Sequence, residues 1–199
     1  MLKIKYMGPR AEISQHGVNY KKSREDKYVY LLVAAEILNL IDNDDSKEKS
    51  YRYLKEAKPL TENQIHDILQ HYESQLEQKV EEKEKKYELK IQKEIEQVEA
   101  KTYLTEIGKE VWIKNLKLME AYRIQRAINK IYYMHCINDI KNIILKEEIK
   151  EIAMPFNERF AHVLHTLQGA LETDKHPVGT KLAVETDKDD NLIVILYVT

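Results

Sequence analysis

Residues 61–101, TENQIHDILQHYESQLEQKVEEKEKKYELKIQKEIEQVEAK, decide how this chain is organised. Thr61-Glu62-Asn63-Gln64 has the form of a capping box. In it the threonine hydroxyl accepts from the N–H of Gln64, and the glutamine side chain reaches back to the threonine N–H. Leu60 and Ile65 supply the accompanying hydrophobic staple. Beyond this start Ile65, Leu69, Tyr72, Leu76, Val80, Tyr87, Ile91 and Val98 fall on one stripe. Their spacing fits an eleven-residue repeat of about 3.67 residues per turn, which predicts a helix that runs nearly straight. Lys83 and Glu94 occupy two expected apolar positions of that repeat, so the seam is narrow.

Between Glu73 and Lys101 stand nine glutamates and seven lysines, a balance that describes a solvated helix face. Glu81 with Lys85 and Glu82 with Lys86 have the favourable i,i+4 order, each pair adding only about 0.3 to 0.5 kcal/mol. A helix over 61–101 would extend roughly 60 Å and is expected to protrude from a domain of this size. Lys101-Thr102-Tyr103-Leu104-Thr105 then carries two poor helix formers, which predicts a break and a returning second helix from Thr105 to about Lys150. An uninterrupted helix, needing a second subunit to cover its stripe, is the competing expectation. The second helix becomes denser in apolar residues along its length, through Ile128, Ile131, Tyr132, Cys136, Ile137, Ile140, Ile143 and Ile144, so its far end is expected in a core.

Outside this region the chain reads as mixed. Leu2, Ile4 and Tyr6 alternate with lysines ahead of Gly8-Pro9, and residues 10–20 read as a short hairpin with Gly17 supplying a positive φ. Ser23 stands before Glu25 and Asp26 as a cap for a helix over Tyr28 to Ile41. Asp42-Asn43-Asp44-Asp45-Ser46 lacks the glycine and glutamate that a calcium loop of the helix-loop-helix type needs, and is read as a solvated loop. Tyr51 to Leu54 is compatible with either a strand or a helix start. Pro155 is expected to open a helix whose face is Phe156, Phe160, Val163, Leu164, Leu167 and Leu171. Two strands, Lys181 to Thr186 and Leu192 to Val198, follow around the turn-rich segment 187–191. The last strand is apolar on both faces, which argues for a central or interface position.

The expected fold is therefore α+β: a small mixed or antiparallel sheet head built from both termini, residues 1–60 and 150–199, plus a long antiparallel helical hairpin, a coiled-coil-like arm, over 61–149. Composition agrees with a helix-rich chain. Among 199 residues there are only five glycines and four prolines, and 32 basic residues nearly balance 34 acidic ones. A single cysteine, Cys136, excludes an intrachain disulfide scaffold and favours a reducing, cytoplasmic setting. The opening residues lack the apolar region of a signal peptide. The longest uncharged apolar runs, 28–35 and 192–198, are too short to span a bilayer, so no membrane insertion is expected.

The sequence is poor in chemical motifs. No phosphate-binding glycine loop, dinucleotide fingerprint or nucleophile elbow is present, and no cofactor is expected. Glu158, His162 and His165 stand at i, i+4 and i+7 on one helical face, a spacing within metal-ligand reach, although a plain polar face is the simpler account. Lys114, Lys117, Arg123, Arg126 and Lys130 outnumber Glu120, with Arg123, Arg126 and Lys130 on one face. The slightly negative net charge argues against nucleic acid as the target.

The expectation drawn from these features is a non-catalytic adaptor that presents its helical arm to a protein partner. Tyr72, Tyr87, Tyr103 and Tyr122, with Arg123, Arg126 and Lys130, are the candidate contact residues. A homodimer is compatible with the same features. The alternatives are a regulator of phosphorylation, whose helical arm would insert Gln125 or Gln168 into a partner's phosphorylation site, and a metal-dependent enzyme built on the Glu158, His162 and His165 face.

Overall fold

The computed structural model describes residues 12–14, 17–19, 27–42, 51–53 and 62–199. The chain is α+β, with four helices among the described residues, and it divides into two compact units. One contains residues 70–131 together with the short strands β1 (Glu12–Ser14) and β2 (Gly17–Asn19). The other contains residues 27–69 and 132–199.

In the first unit β1 and β2 pair antiparallel, with Ser14 opposite Gly17. The expected antiparallel pair is thus present, with Gly17 already in its second strand. The run at residues 2–6 lies outside the described residues. Helix α2 (Glu62–Glu99) begins where the capping box places it, although the side chains of that box also lie outside the described residues. Its stripe is buried at Tyr72, Leu76, Val80 and Val98 and half-buried at Lys83, Tyr87, Ile91 and Glu94, as an eleven-residue repeat requires. Ile95 is buried as well, which widens the seam near the helix end. Glu81 and Lys85 pair at 3.8 Å, whereas Glu82 accepts from Gln78 at 3.3 Å.

Helix α3 (Glu106–Lys146) follows a non-helical connection at residues 100–105. Thr105 is the reason α3 starts where it does: its hydroxyl oxygen accepts from the N–H of Gly108 at 3.1 Å. A Cβ on Gly108 would lie 3.2 Å from that oxygen, so a glycine in the first turn suits the cap.

The second unit holds helix α1 (Lys27–Asp42), strand β3 (Tyr51–Tyr53), strand β4 (Glu151–Pro155), helix α4 (Glu158–Glu172) and strands β5 (Thr180–Thr186) and β6 (Leu192–Val198). The sheet order is β3-β4-β6-β5. Strand β3 runs parallel to β4 over three residues, and β6 is antiparallel to both β4 and β5. The apolar C-terminal strand β6 is accordingly central. Ile152 and Met154 share one face with Val194 and Leu196, while Ala153 lies opposite Ile195 on the other, and all six are buried.

The second helix ends at Lys146, short of the expected Lys150, and strand β4 follows at Glu151 where no strand was expected. Helix α3 stops at Lys146 through a Schellman-type closure. Glu148 adopts φ 52°, and the N–H of Ile149 bonds the carbonyl of Ile144 at 3.0 Å, with both isoleucines buried. Pro155 ends β4 and does not open α4, whose cap is Asn157, accepting from the N–H of Arg159 at 2.8 Å. Phe156 is consequently outside the helix and exposed. Val163, Leu164, Leu167 and Leu171 do form the buried face of α4, which packs against α1, β5 and β6. Asp187 organises the β5–β6 turn, accepting from the N–H groups of Asp189 and Asn191 at 2.9 Å each. Gly179 exchanges backbone hydrogen bonds with Thr199, an approach so close that a Cβ would stand 2.3 Å from the threonine hydroxyl.

Candidate interaction surface

The residues read as a possible metal face stand apart in the second unit. Glu158 and His165 are exposed, while the ring of His162 stacks on Tyr30 at 3.9 Å between centroids. The three do not converge, and among the described residues no group of three His, Cys, Asp or Glu side chains is arranged to hold a metal ion. Tyr30 also lies 6.2 Å from the ring of Tyr133, whose hydroxyl donates to Thr166 at 2.9 Å. Burial, opposed by that hydrogen bond, pushes the Tyr133 hydroxyl up to about 12. Such a group is a neutral donor throughout the physiological range. Lys141 bonds Asp174 at 2.5 Å at the edge of a cavity of about 570 Å³. The Lys141 hydrogen bond, helped by the backbone N–H of His176, holds the Asp174 carboxyl below its ordinary value. Cys136, the single cysteine, is buried. Gln125 donates to Asn129 at 3.1 Å and Gln168 to Glu172 at 3.2 Å, so each candidate carboxamide is engaged within its own helix.

The first unit offers a different kind of site. At the connection, the Lys101 ammonium stands 3.8 Å above the Trp112 ring and 6.0 Å from that of Tyr103, a cation–π arrangement that holds the turn against α3. Lys109 pairs with Glu106 at 3.1 Å. From there α3 displays large apolar side chains to solvent: Ile107 is 74% exposed, Val111 56% and Leu118 69%. At 100° per residue these three fall within an arc of about 40°. Half-buried Ile113 and buried Glu120 project from the opposite side. The exposed stripe is therefore a second, separate face.

Charge is arranged around it. From Val111 to Lys130 the only acidic residue is Glu120, which is buried and bonded through one oxygen to Arg123. Lys114, Lys117, Arg126 and Lys130 are exposed and make no ion pair among the described residues. Lys114 borders the aliphatic stripe, with Lys117 farther out on the same flank and Arg126 on the other. A carboxylate placed along this face beyond Val111 would meet cations, and the exposed Glu110 is the acid at its near end.

The sequence-derived contact residues divide sharply. Tyr72 is 2% exposed and belongs to the buried stripe of α2. Tyr87 and Tyr122 are half-buried, and Tyr103 is 74% exposed. Arg123, Arg126 and Lys130 are all exposed, Arg123 through its bond to Glu120 being the least available. Ile107, Val111 and Leu118 were not among the expected residues, yet a signal for them exists. Between Ile107 and Met119 apolar side chains recur on every side of the helix, more than one narrow seam can bury.

No family model, curated protein or solved structure matches this chain. Among the described residues no helix is long and apolar enough to cross a membrane.

Proposed function

We propose that the protein is a non-catalytic adaptor of the cytoplasm whose coiled-coil-like arm, α2 and the first half of α3, carries its contact surface for a protein partner. The observation that carries this reading is the second apolar face on α3. Three aliphatic side chains aligned on a helix and left in water are unfavourable unless something covers them, since burying each one contributes about 1.5 to 3 kcal/mol. A helix that only needed to close its own unit would place lysine or glutamate there, as α2 does at most of its exposed positions.

The basic residues near the stripe support the same reading, because unpaired cations at the rim of an apolar strip add orientation and association rate more than affinity. The experiment is affinity capture from the native extract with the full chain and with Val111→Glu/Leu118→Glu. Both positions are exposed, so the variant is expected to melt at the wild-type temperature while losing the proteins that the wild type retains. Unchanged capture by a folded double variant contradicts the proposal.

A further inference from the structure

We infer that the α3 face from Ile107 to Arg126 takes an acidic amphipathic helix of another protein. This deepens the adaptor reading and rests on it. Ile107, Val111 and Leu118 span eleven residues, about 16 Å of helix, at a spacing that a second helix can meet with its own i, i+4 and i+11 positions. Lys114 at the border of the strip, with Lys117 farther out on that flank and Arg126 on the other, would pair with carboxylates bordering the partner's apolar seam.

A second copy of this chain fits the face poorly. Pairing α3 with α3 in parallel register brings Lys114, Lys117 and Arg126 against their own equivalents, and like charges at close range are repulsive. An antiparallel pair offers those three cations a single exposed carboxylate of the 107–126 face, Glu110, from the other copy and leaves most of the positive charge unmet. Pairing α3 with the exposed side of α2 supplies carboxylates, but Leu89 is the single large exposed apolar side chain that α2 offers among the described residues. An anionic bilayer fits poorly too. A helix lying in a membrane interface presents a broad apolar face, whereas this strip covers an arc of about 40°, and the exposed Glu110 stands at its near end. The charge and the narrow aliphatic seam together favour an acidic helix.

The test is fluorescence anisotropy of the full protein with an alanine-based helical peptide carrying leucines at i, i+4 and i+11 and glutamates on both flanks. The same peptide with lysines for glutamates is the control, and vesicles of phosphatidylcholine with and without phosphatidylserine form a third arm. The glutamate peptide is expected to bind about tenfold or more tightly than the lysine peptide, with the difference shrinking at high salt. Val111→Glu/Leu118→Glu abolishes binding, and Lys114→Glu/Lys117→Glu reverses the preference. The second variant changes only solvated positions, so it decides the matter even where the first fails to fold.

Equal binding of the two peptides, binding that survives both variants, or recruitment to phosphatidylserine vesicles without binding of the glutamate peptide would overturn the inference. If capture from the extract still depends on Val111 and Leu118 while the glutamate peptide does not bind, the acidic helix is refuted and the adaptor reading stands. If capture is unaffected, both fall.

Discussion

At Tyr133 and Glu36 the protein's response to pH is set by burial. Tyr133 ionises near 12 in the folded chain, above its ordinary value. The neutral form is thus preferred on folding, and its contribution is complete below the unfolded value of about 10 and disappears as pH rises through the folded one. Spectroscopic titration should show one tyrosine ionising near 12, and Tyr133→Phe, which removes the bond to Thr166, should cost about 1 kcal/mol in urea unfolding. Glu36 is buried on α1 and desolvation raises its carboxyl above the ordinary value. Here too the protonated form favours folding, so stability is highest below the unfolded value of about 4.3 and falls as pH rises through the folded value. Glu36→Gln should therefore raise the melting temperature at pH 7 and leave it unchanged under acid conditions where Glu36 is protonated in both states. Neither group could be read from the sequence, because a glutamate or tyrosine on a helix declares nothing about the solvent it loses.

The elements show which signals a sequence carries openly. Helix α2 and the break after it were legible because an N-terminal cap, an eleven-residue stripe and a threonine-rich connection act locally, within a few residues of where they are written. Strand β4 was not legible. The residue that ends α3 with φ 52° is Glu148, where a glycine would have announced the stop. Residues 147–150 separate α3 from a strand of only five residues, and neither glycine nor proline marks the charged junction 146–151 between them. Pro155 misled for a related reason: a residue without an N–H suits the end of a strand as well as the start of a helix. Residues at these ends make direct tests. Thr105→Ala should destabilise by about 1 kcal/mol through loss of the α3 cap. Glu148→Gly should stabilise by about 0.5 to 1 kcal/mol, because glycine adopts the left-handed conformation without the Cβ penalty. Both are measured by chemical denaturation, and a Glu148→Gly protein less stable than wild type would show that the Glu148 side chain contributes more than its backbone strain costs.

For the whole molecule, the α+β class and the central position of β6 followed from the pattern, since an apolar run without alternation has few places to go other than the middle of a sheet. Which tyrosines face water did not follow. Tyr72 and Tyr103 have the same side chain and opposite surroundings, one inside the α2 stripe and one at the connection, because tyrosine is amphipathic enough for either. The large side chains aligned in water on α3 are accordingly aliphatic, Ile107, Val111 and Leu118. Placing a photo-crosslinking amino acid at position 111 or 118, and at exposed positions 85 and 96 of α2 as controls, tests the proposed contact surface most directly when crosslinking is performed in the source cells. The account predicts a discrete crosslinked protein partner from 111 and 118 and none from 85 or 96. Crosslinks of equal yield from all four positions, or none from 111 and 118, would contradict it.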